Sequence, residues 1–364
     1  MSDRAPSPSD DPDLSESEEI TDVKPDRKKA IIGIVVAVVV VVIVFGVIFP
    51  QLVDWNAVFD ALREVDPGEL LIIALLAVSR YLPAGWIYSL VLPGLTVRQG
   101  TEAWVATTAV SSTLPGFDLV LRVAMYASWG FGLERATSGM FLSGVVEMAT
   151  KLVIAIVAVT LGALIMSDLG LLAVAAIAAL VVLAIAGLIV GILRSEERAR
   201  SVGERVQRIA HWGFDKFERQ APEDLVDRVL AVRIEAREVL GSRWPQAFLA
   251  AFTNQAIVYL MLLLSLRAVG VDSSVLDWSE ILFVQGIVIL ITSIPITPGS
   301  LGVAGLAYVG LFTLLAGQDA SDLIAAGVIL FRLAMWLLPI LIGWPVTLRW
   351  QAKTGKKLFG GAAA

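Results

Sequence analysis

Residues 30–49, AIIGIVVAVVVVVIVFGVIF, run for twenty positions without a charge. Twenty residues of helix reach about 30 Å, the thickness of a bilayer's hydrocarbon core. Further apolar stretches lie near 69–92, 101–131, 137–166, 169–193, 245–270, 279–316 and 321–348. Hydrocarbon offers backbone groups no partners, so such runs must fold as helices. A cleaved signal peptide is not expected at 30–49: the run is long, starts late and is followed by no small-x-small site. Only 17% of residues are charged, against about 25% in soluble domains. The fold class is all-α, a polytopic helical membrane protein, with the cell (plasma) membrane as its expected location.

Lys and Arg concentrate on the cytoplasmic side of membranes. The tail 1–29 ends in Arg27, Lys28 and Lys29, and the segment 194–243 carries 11 Lys and Arg. Both belong inside, with Arg98, Arg135 and the basic C-terminal tail, 349–364. The loop 51–68 has one basic residue, Arg63, among Asp54, Asp60, Glu64 and Asp66, and belongs outside. Both termini are then cytoplasmic. On this assignment 101–131 starts and ends inside, whereas 279–316 starts and ends outside. Each carries a Pro-Gly break, in TLPGFD and ITPGSLG. Proline removes a backbone donor and glycine permits non-helical backbone, so each helix should break there. Both segments are expected to be re-entrant hairpins, tipped at Pro115–Gly116 and Pro298–Gly299. This places 22 of the 28 basic residues inside, Arg63 outside and five within spans. The rival, two short full spans in either hairpin, would carry the flanking loops across the membrane.

Span, broken hairpin, span then occurs twice in opposite orientation. The chain divides into an N-terminal transmembrane helix (30–50), a first repeat (51–193), a cytoplasmic amphipathic segment (194–244) and a second repeat (245–348). The repeats align weakly: LPGFDLVLRVAMY and TPGSLGVAGLAYV share four of thirteen positions. Inverted repeats with broken helices are a common transporter architecture. The tail 1–29 is rich in Ser, Pro, Asp and Glu and is expected to be disordered. Within 194–244, Leu225, Val226, Val229, Leu230 and Val232 thread through charges at roughly helical spacing, which suits helices on the membrane surface. Ten acidic residues nearly cancel the 11 basic ones there, so nucleic acid is not an expected partner. His211 and Trp212 are read as interfacial packing.

The chain has no cysteine, which removes disulfides, thiol nucleophiles and thiolate metal sites. Its one histidine, His211, argues against His-rich metal sites and a Ser-His-Asp triad. It also lacks a P-loop, HExxH and GxSxG. No enzyme activity, cofactor or metal is expected.

Charge inside a membrane is expensive, about 2.5–3.5 kcal/mol per group on insertion scales. Arg80, Asp118, Arg122, Glu147, Lys151 and Arg332 nevertheless fall within apolar stretches, with Asn254, Gln255 and Gln285. Glu147 and Lys151 are i,i+4, as are Asp118 and Arg122. Each pair is either a self-neutralising structural pair or a set of groups that exchange partners during a cycle, with Glu147 the best proton carrier. Arg80 and Arg332 have no carboxylate at i±3 or i±4. Their partner is another helix, for example Glu147 for Arg332, or an anionic ligand suited to the guanidinium fork. Ser111, Ser112, Thr113, Thr297 and Ser300 flank the breaks. They either help half-helix N-termini hold an anion or satisfy freed backbone groups.

The segment ITSIPITPGSLGVAGLAYVGLFTLLAGQDASDLIAAGVILFRLAMWLLPILIG resembles the C-terminal signature of the lysylphosphatidylglycerol synthase transmembrane-region family, also called the flippase-like domain. That signature is a P-x-T-P-G-G-x-G element, a small-residue helix, then a span with one arginine and W-x-x-P. SSTLPGFDLVLRVAMYASWGFG is similar to the family's earlier Pro-Gly element, with its arginine and glycine. The resemblance covers roughly 50–348 and implies a lipid flippase-like domain. It assigns Pro298, Gly299, Gly302 and Arg332 to the second motif, and Pro115, Gly116 and Arg122 to the first. Where the family often has a glutamate after the second element, Gly305 stands here. As the sequence ends at Ala364, no aminoacyl-transferase domain is expected and the chain should not synthesise a lysyl-lipid; a lipid-modifying enzyme is a candidate partner.

The expected function is alternating-access translocation of an anionic or zwitterionic lipid between leaflets. Arg80, Arg122 and Arg332 would hold the headgroup beside Pro115, Gly116, Thr297, Pro298, Gly299 and Ser300. Glu147, Lys151 and Asp118 would couple a proton or ion. The alternatives are a secondary transporter of a small soluble anion, expected to have a sealed cavity, and a non-transporting scaffold, expected to have every arginine satisfied by protein.

Overall fold

A computed structural model describes residues 55–113, 117–167, 194–215, 243–293 and 301–355, with scattered positions within 170–191 and 226–241. The tail 1–29, the run 30–49, the break residues Pro115, Gly116, Thr297, Pro298, Gly299 and Ser300, and most of 169–193 lie outside the described residues.

Among the described residues every regular element is helical. The first repeat holds α1 (Trp55–Arg63), α2 (Pro67–Ser79), α3 (Tyr81–Val91), α4 (Val97–Thr113), α5 (Phe117–Ser128) and α6 (Leu133–Met166). Then come α7 (Glu196–Asp215), α8 (Trp244–Ala268), α9 (Trp278–Ser293), α10 (Leu301–Ala316) and α11 (Ser321–Thr354). Four stretches are long and apolar enough to cross a membrane: Pro67–Val91, Arg135–Met166, Trp244–Ala268 and Gln318–Thr354. Their outer faces are apolar, with Leu71, Leu75, Leu82, Leu164 and Leu341 exposed. Such a face is untenable in water and natural in lipid.

Local chemistry accounts for the element ends. Asp66 caps α2 by accepting the Gly68 N–H at 2.7 Å, with Pro67 opening the helix. Helices α2 and α3 meet at Arg80, whose backbone stays helical (φ −64, ψ −17). The Arg80 N–H donates to Leu76 O at 3.2 Å and the Ala84 N–H to Arg80 O at 3.3 Å, so the path is continuous although Pro83 lacks a donor. Helix α11 runs through Pro339 and Pro345 to Thr354, beyond the expected end at 348. Prolines are tolerated in spans whose neighbours hold the helix in place. Helix α1, within the loop 51–68, was not anticipated.

The two Pro-Gly segments each yield a pair of short helices, α4 with α5 and α9 with α10, and each pair packs together. At 17 and 16 residues, α4, α9 and α10 reach about 24–26 Å, less than a bilayer core. Buried apolar residues form two clusters. One takes Ile73 and Ala77 of α2, Val159 and Ala163 of α6, Val258–Leu266 of α8, Ile324–Ala334 of α11, and residues of α9 and α10. The other takes residues of α3, Ala136–Val146 of α6, Ala247–Ala251 of α8, Trp350 of α11, and residues of α4 and α5. Each candidate span passes through both clusters, whereas each hairpin contributes buried residues to one.

The halves also exchange partners. Helix α4 packs on α11, and α9 packs on α6, so each hairpin's leading helix lies against the span that follows the other hairpin. Glycines permit both approaches. Gly343 faces Val105 and Ala109 of α4, and a Cβ on Gly286 would sit 2.8 Å from Ala155 O of α6. In the joining segment, α7 buries Ala199 and Gly203 and exposes Glu196, Arg198, Arg200, Glu204 and Arg205. It is amphipathic, as the charge pattern implies.

Candidate functional site

Between the two clusters lies a cavity of about 550 Å³, within the usual range for ligand sites. Helices from both halves line it, and among the described residues its charged lining is Arg80, Glu147, Lys151 and Arg332. Thus four of the six intramembrane charges read from the sequence come together. Asn254, Gln255, Gln285, Thr292 and Ser293 add polar groups.

Arg80 is buried (8% exposed). It reaches the cavity because it occupies the α2–α3 join, facing α8 and α11. Its Nε donates to Asn254 Oδ1 at 3.4 Å, one Nη lies 2.7 Å from Met335 Sδ, and the guanidinium sits 5.1 Å from the Trp104 ring centre. These contacts are neutral, so none cancels the charge. Arg332, one turn before Trp336 on α11, lies 5.4 Å from that ring's centre. A cation over an indole face gains about 0.5–2 kcal/mol, small beside the cost of full desolvation.

Glu147 and Lys151 form the i,i+4 pair that their spacing implies, with Nζ to Oε2 at 3.9 Å. The contact is at the limit for an ion pair, and both side chains are only partly buried. Gly144 and Met148 lie on the same stripe of α6; both line the cavity and both are exposed.

Arg122 and Asp118 do not line this cavity. Arg122 stacks 4.6 Å from the Tyr88 ring centre and donates to Ser143 Oγ at 3.3 Å, while its Nε is buried without a hydrogen bond. Asp118 sits in the first turn of α5, where a carboxylate suits the positive helix end. The hydroxyls of Ser111 and Ser112 donate back to Thr108 O, satisfying their own helix. Residues the sequence reading missed are aromatic: Trp104, Trp336 and Tyr308, whose hydroxyl donates to Gln285 Oε1 at 2.7 Å. Trp336 could have been found by its i,i+4 spacing from Arg332; Trp104 meets Arg80 only through the fold. His211 is half-buried with Nδ1 3.0 Å from Gln207 O, consistent with packing.

No curated protein matches the chain. The family model described as the lysylphosphatidylglycerol synthase TM region matches residues 31–343, which include all four candidate spans up to the last turns of α11. With a helical membrane bundle and that match across most of its length, the chain belongs to the lysylphosphatidylglycerol synthase transmembrane-region family.

Proposed function

We propose that this protein binds a phosphate-bearing lipid headgroup in the central cavity and moves it between leaflets by alternating access, with no chemistry on the lipid. The carrying observation is a cavity that gathers Arg80, Arg332, Lys151 and Glu147 between two apolar clusters and has exposed lining residues, Gly144 and Met148, at its side. In this reading the cavity opens sideways along α6 at these residues, so that acyl chains stay in hydrocarbon while the headgroup crosses inside protein. A carrier for a soluble anion has no use for such an opening. In this reading the hairpins α4–α5 and α9–α10 are re-entrant gates on opposite faces of an inverted repeat, supported by their membership of separate clusters. Glu147 carries the coupling charge. The location is the plasma membrane, with both termini cytoplasmic, and a separate enzyme makes or modifies the lipid.

The test is reconstitution into liposomes with fluorescent phosphatidylglycerol or phosphatidylcholine, following leaflet exchange by dithionite quenching. Arg80→Gln and Arg332→Gln are each expected to slow exchange by about tenfold or more, equivalent to roughly 1.4 kcal/mol of barrier. Wild-type liposomes no faster than protein-free ones, or variants as fast as wild type, would remove these arginines from a transport mechanism.

A further inference from the structure

Among the described residues the charges on the cavity wall are unequal: three cations, Arg80, Lys151 and Arg332, face one carboxylate, Glu147. The groups that could receive a cationic ligand are already occupied. Guanidinium groups cover Trp104 at 5.1 Å and Trp336 at 5.4 Å. The Tyr308 ring stacks on Phe312 and meets Phe331 edge-on, and its hydroxyl is spent on Gln285. Glu147 is engaged by Lys151. The ammonium of a zwitterionic headgroup would therefore find neither an open aromatic face nor an open carboxylate among these residues. A phosphate would find donors throughout. The hydrogen-bond contacts of Arg80 are the neutral Asn254 and Met335, and Lys151 is held at 3.9 Å by an i,i+4 contact worth about 0.3–0.5 kcal/mol when exposed.

We infer that the cavity selects a headgroup of net negative charge over a zwitterionic one, with Arg80 and Lys151 attracting its phosphate and Glu147, still held by Lys151, closed to an ammonium. This rests on the lipid-binding reading above and narrows it to acidic phospholipids. Glu147 repels the phosphate that Lys151 attracts, which gives the two members of the pair opposite roles. Removing Lys151 weakens binding, whereas neutralising Glu147 frees Lys151 and strengthens it.

The experiment uses the full-length protein in detergent, titrated with dihexanoyl phosphatidylglycerol, dihexanoyl phosphatidylcholine or inorganic phosphate. Binding is read by tryptophan fluorescence, since Trp104 and Trp336 line the cavity, and by thermal shift. Phosphatidylglycerol is expected to bind at least about tenfold tighter than phosphatidylcholine. Glu147→Gln should tighten phosphatidylglycerol binding about threefold or more, and Lys151→Gln should weaken it by a similar factor. A gain in affinity is a result that a misfolded variant cannot mimic. Equal affinity for the two lipids, or a loss of affinity in Glu147→Gln, overturns the inference while leaving lipid binding standing. Inorganic phosphate binding as tightly as phosphatidylglycerol keeps the anion site but removes the lipid reading. No response to any of the three overturns both.

Discussion

Asp277 and Glu280 close the N-terminus of α9 reciprocally. The Asp277 N–H donates to Glu280 Oε2 at 2.6 Å, and Asp277 Oδ2 accepts the Ser279 hydroxyl at 2.8 Å and the Ser279 N–H at 3.3 Å. This is a capping box built on D-W-S-E, and D-P-G-E opens α2 at the same spacing. The Ser279 hydroxyl, with the neighbouring N–H groups, holds the Asp277 carboxyl below its ordinary 3.8. A carboxyl depressed in the folded state stabilises above its unfolded pKa, and that contribution disappears as pH falls through the folded value. Asp277→Ala is expected to cost about 1 kcal/mol at neutral pH. Its deficit relative to wild type should shrink as the medium is acidified below pH 4. Unfolding midpoints of both proteins across that range check this, and a constant deficit would count against the cap.

At the scale of elements, the contacts that cross between halves depend on missing side chains. Gly286 lets α9 approach α6, where an added Cβ would meet Ala155 O and the Val159 and Ala158 side chains. Gly343 does the same for α11 against Val105 and Ala109 of α4. Substitution by leucine at either position should force the helices apart and cost at least about 1–3 kcal/mol, the usual range for overpacking. Gly310 on α10 has open space around its Cβ position, so Gly310→Ala should be neutral within about 1 kcal/mol. Thermal unfolding in detergent separates these cases. Gly286→Leu with wild-type stability would show that the α6–α9 contact is looser than described.

For the whole molecule, the topology is the testable unit. The chain has no cysteine, so single cysteines report sidedness without background. Thiol labels at Ser167 and Asp319 should react only from outside the cell, and at Arg135 only from inside. Ser167 ends α6 in a left-handed conformation, and Arg135 begins the same span. Reaction of both from one side would rule out α6 as a single crossing and with it the alternating-access scheme.

The sequence alone determined the membrane class, the four spans of its six that fall among the described residues, and the charged pair Glu147–Lys151, because hydrocarbon forces apolar runs into helices and i,i+4 spacing is set by helix geometry. It located both Pro-Gly segments, since proline and glycine act on local backbone. Only the tertiary structure decided which intramembrane charges share a cavity. Arg80 meets Asn254 across 174 positions and Met335 across 255, and no local pattern encodes such separations. It also sent Arg122 away from that cavity, onto Tyr88 and Ser143. Helix period places a side chain on a face. What that face meets depends on how closely neighbouring helices can approach, and in this bundle glycines on opposite halves fix that distance.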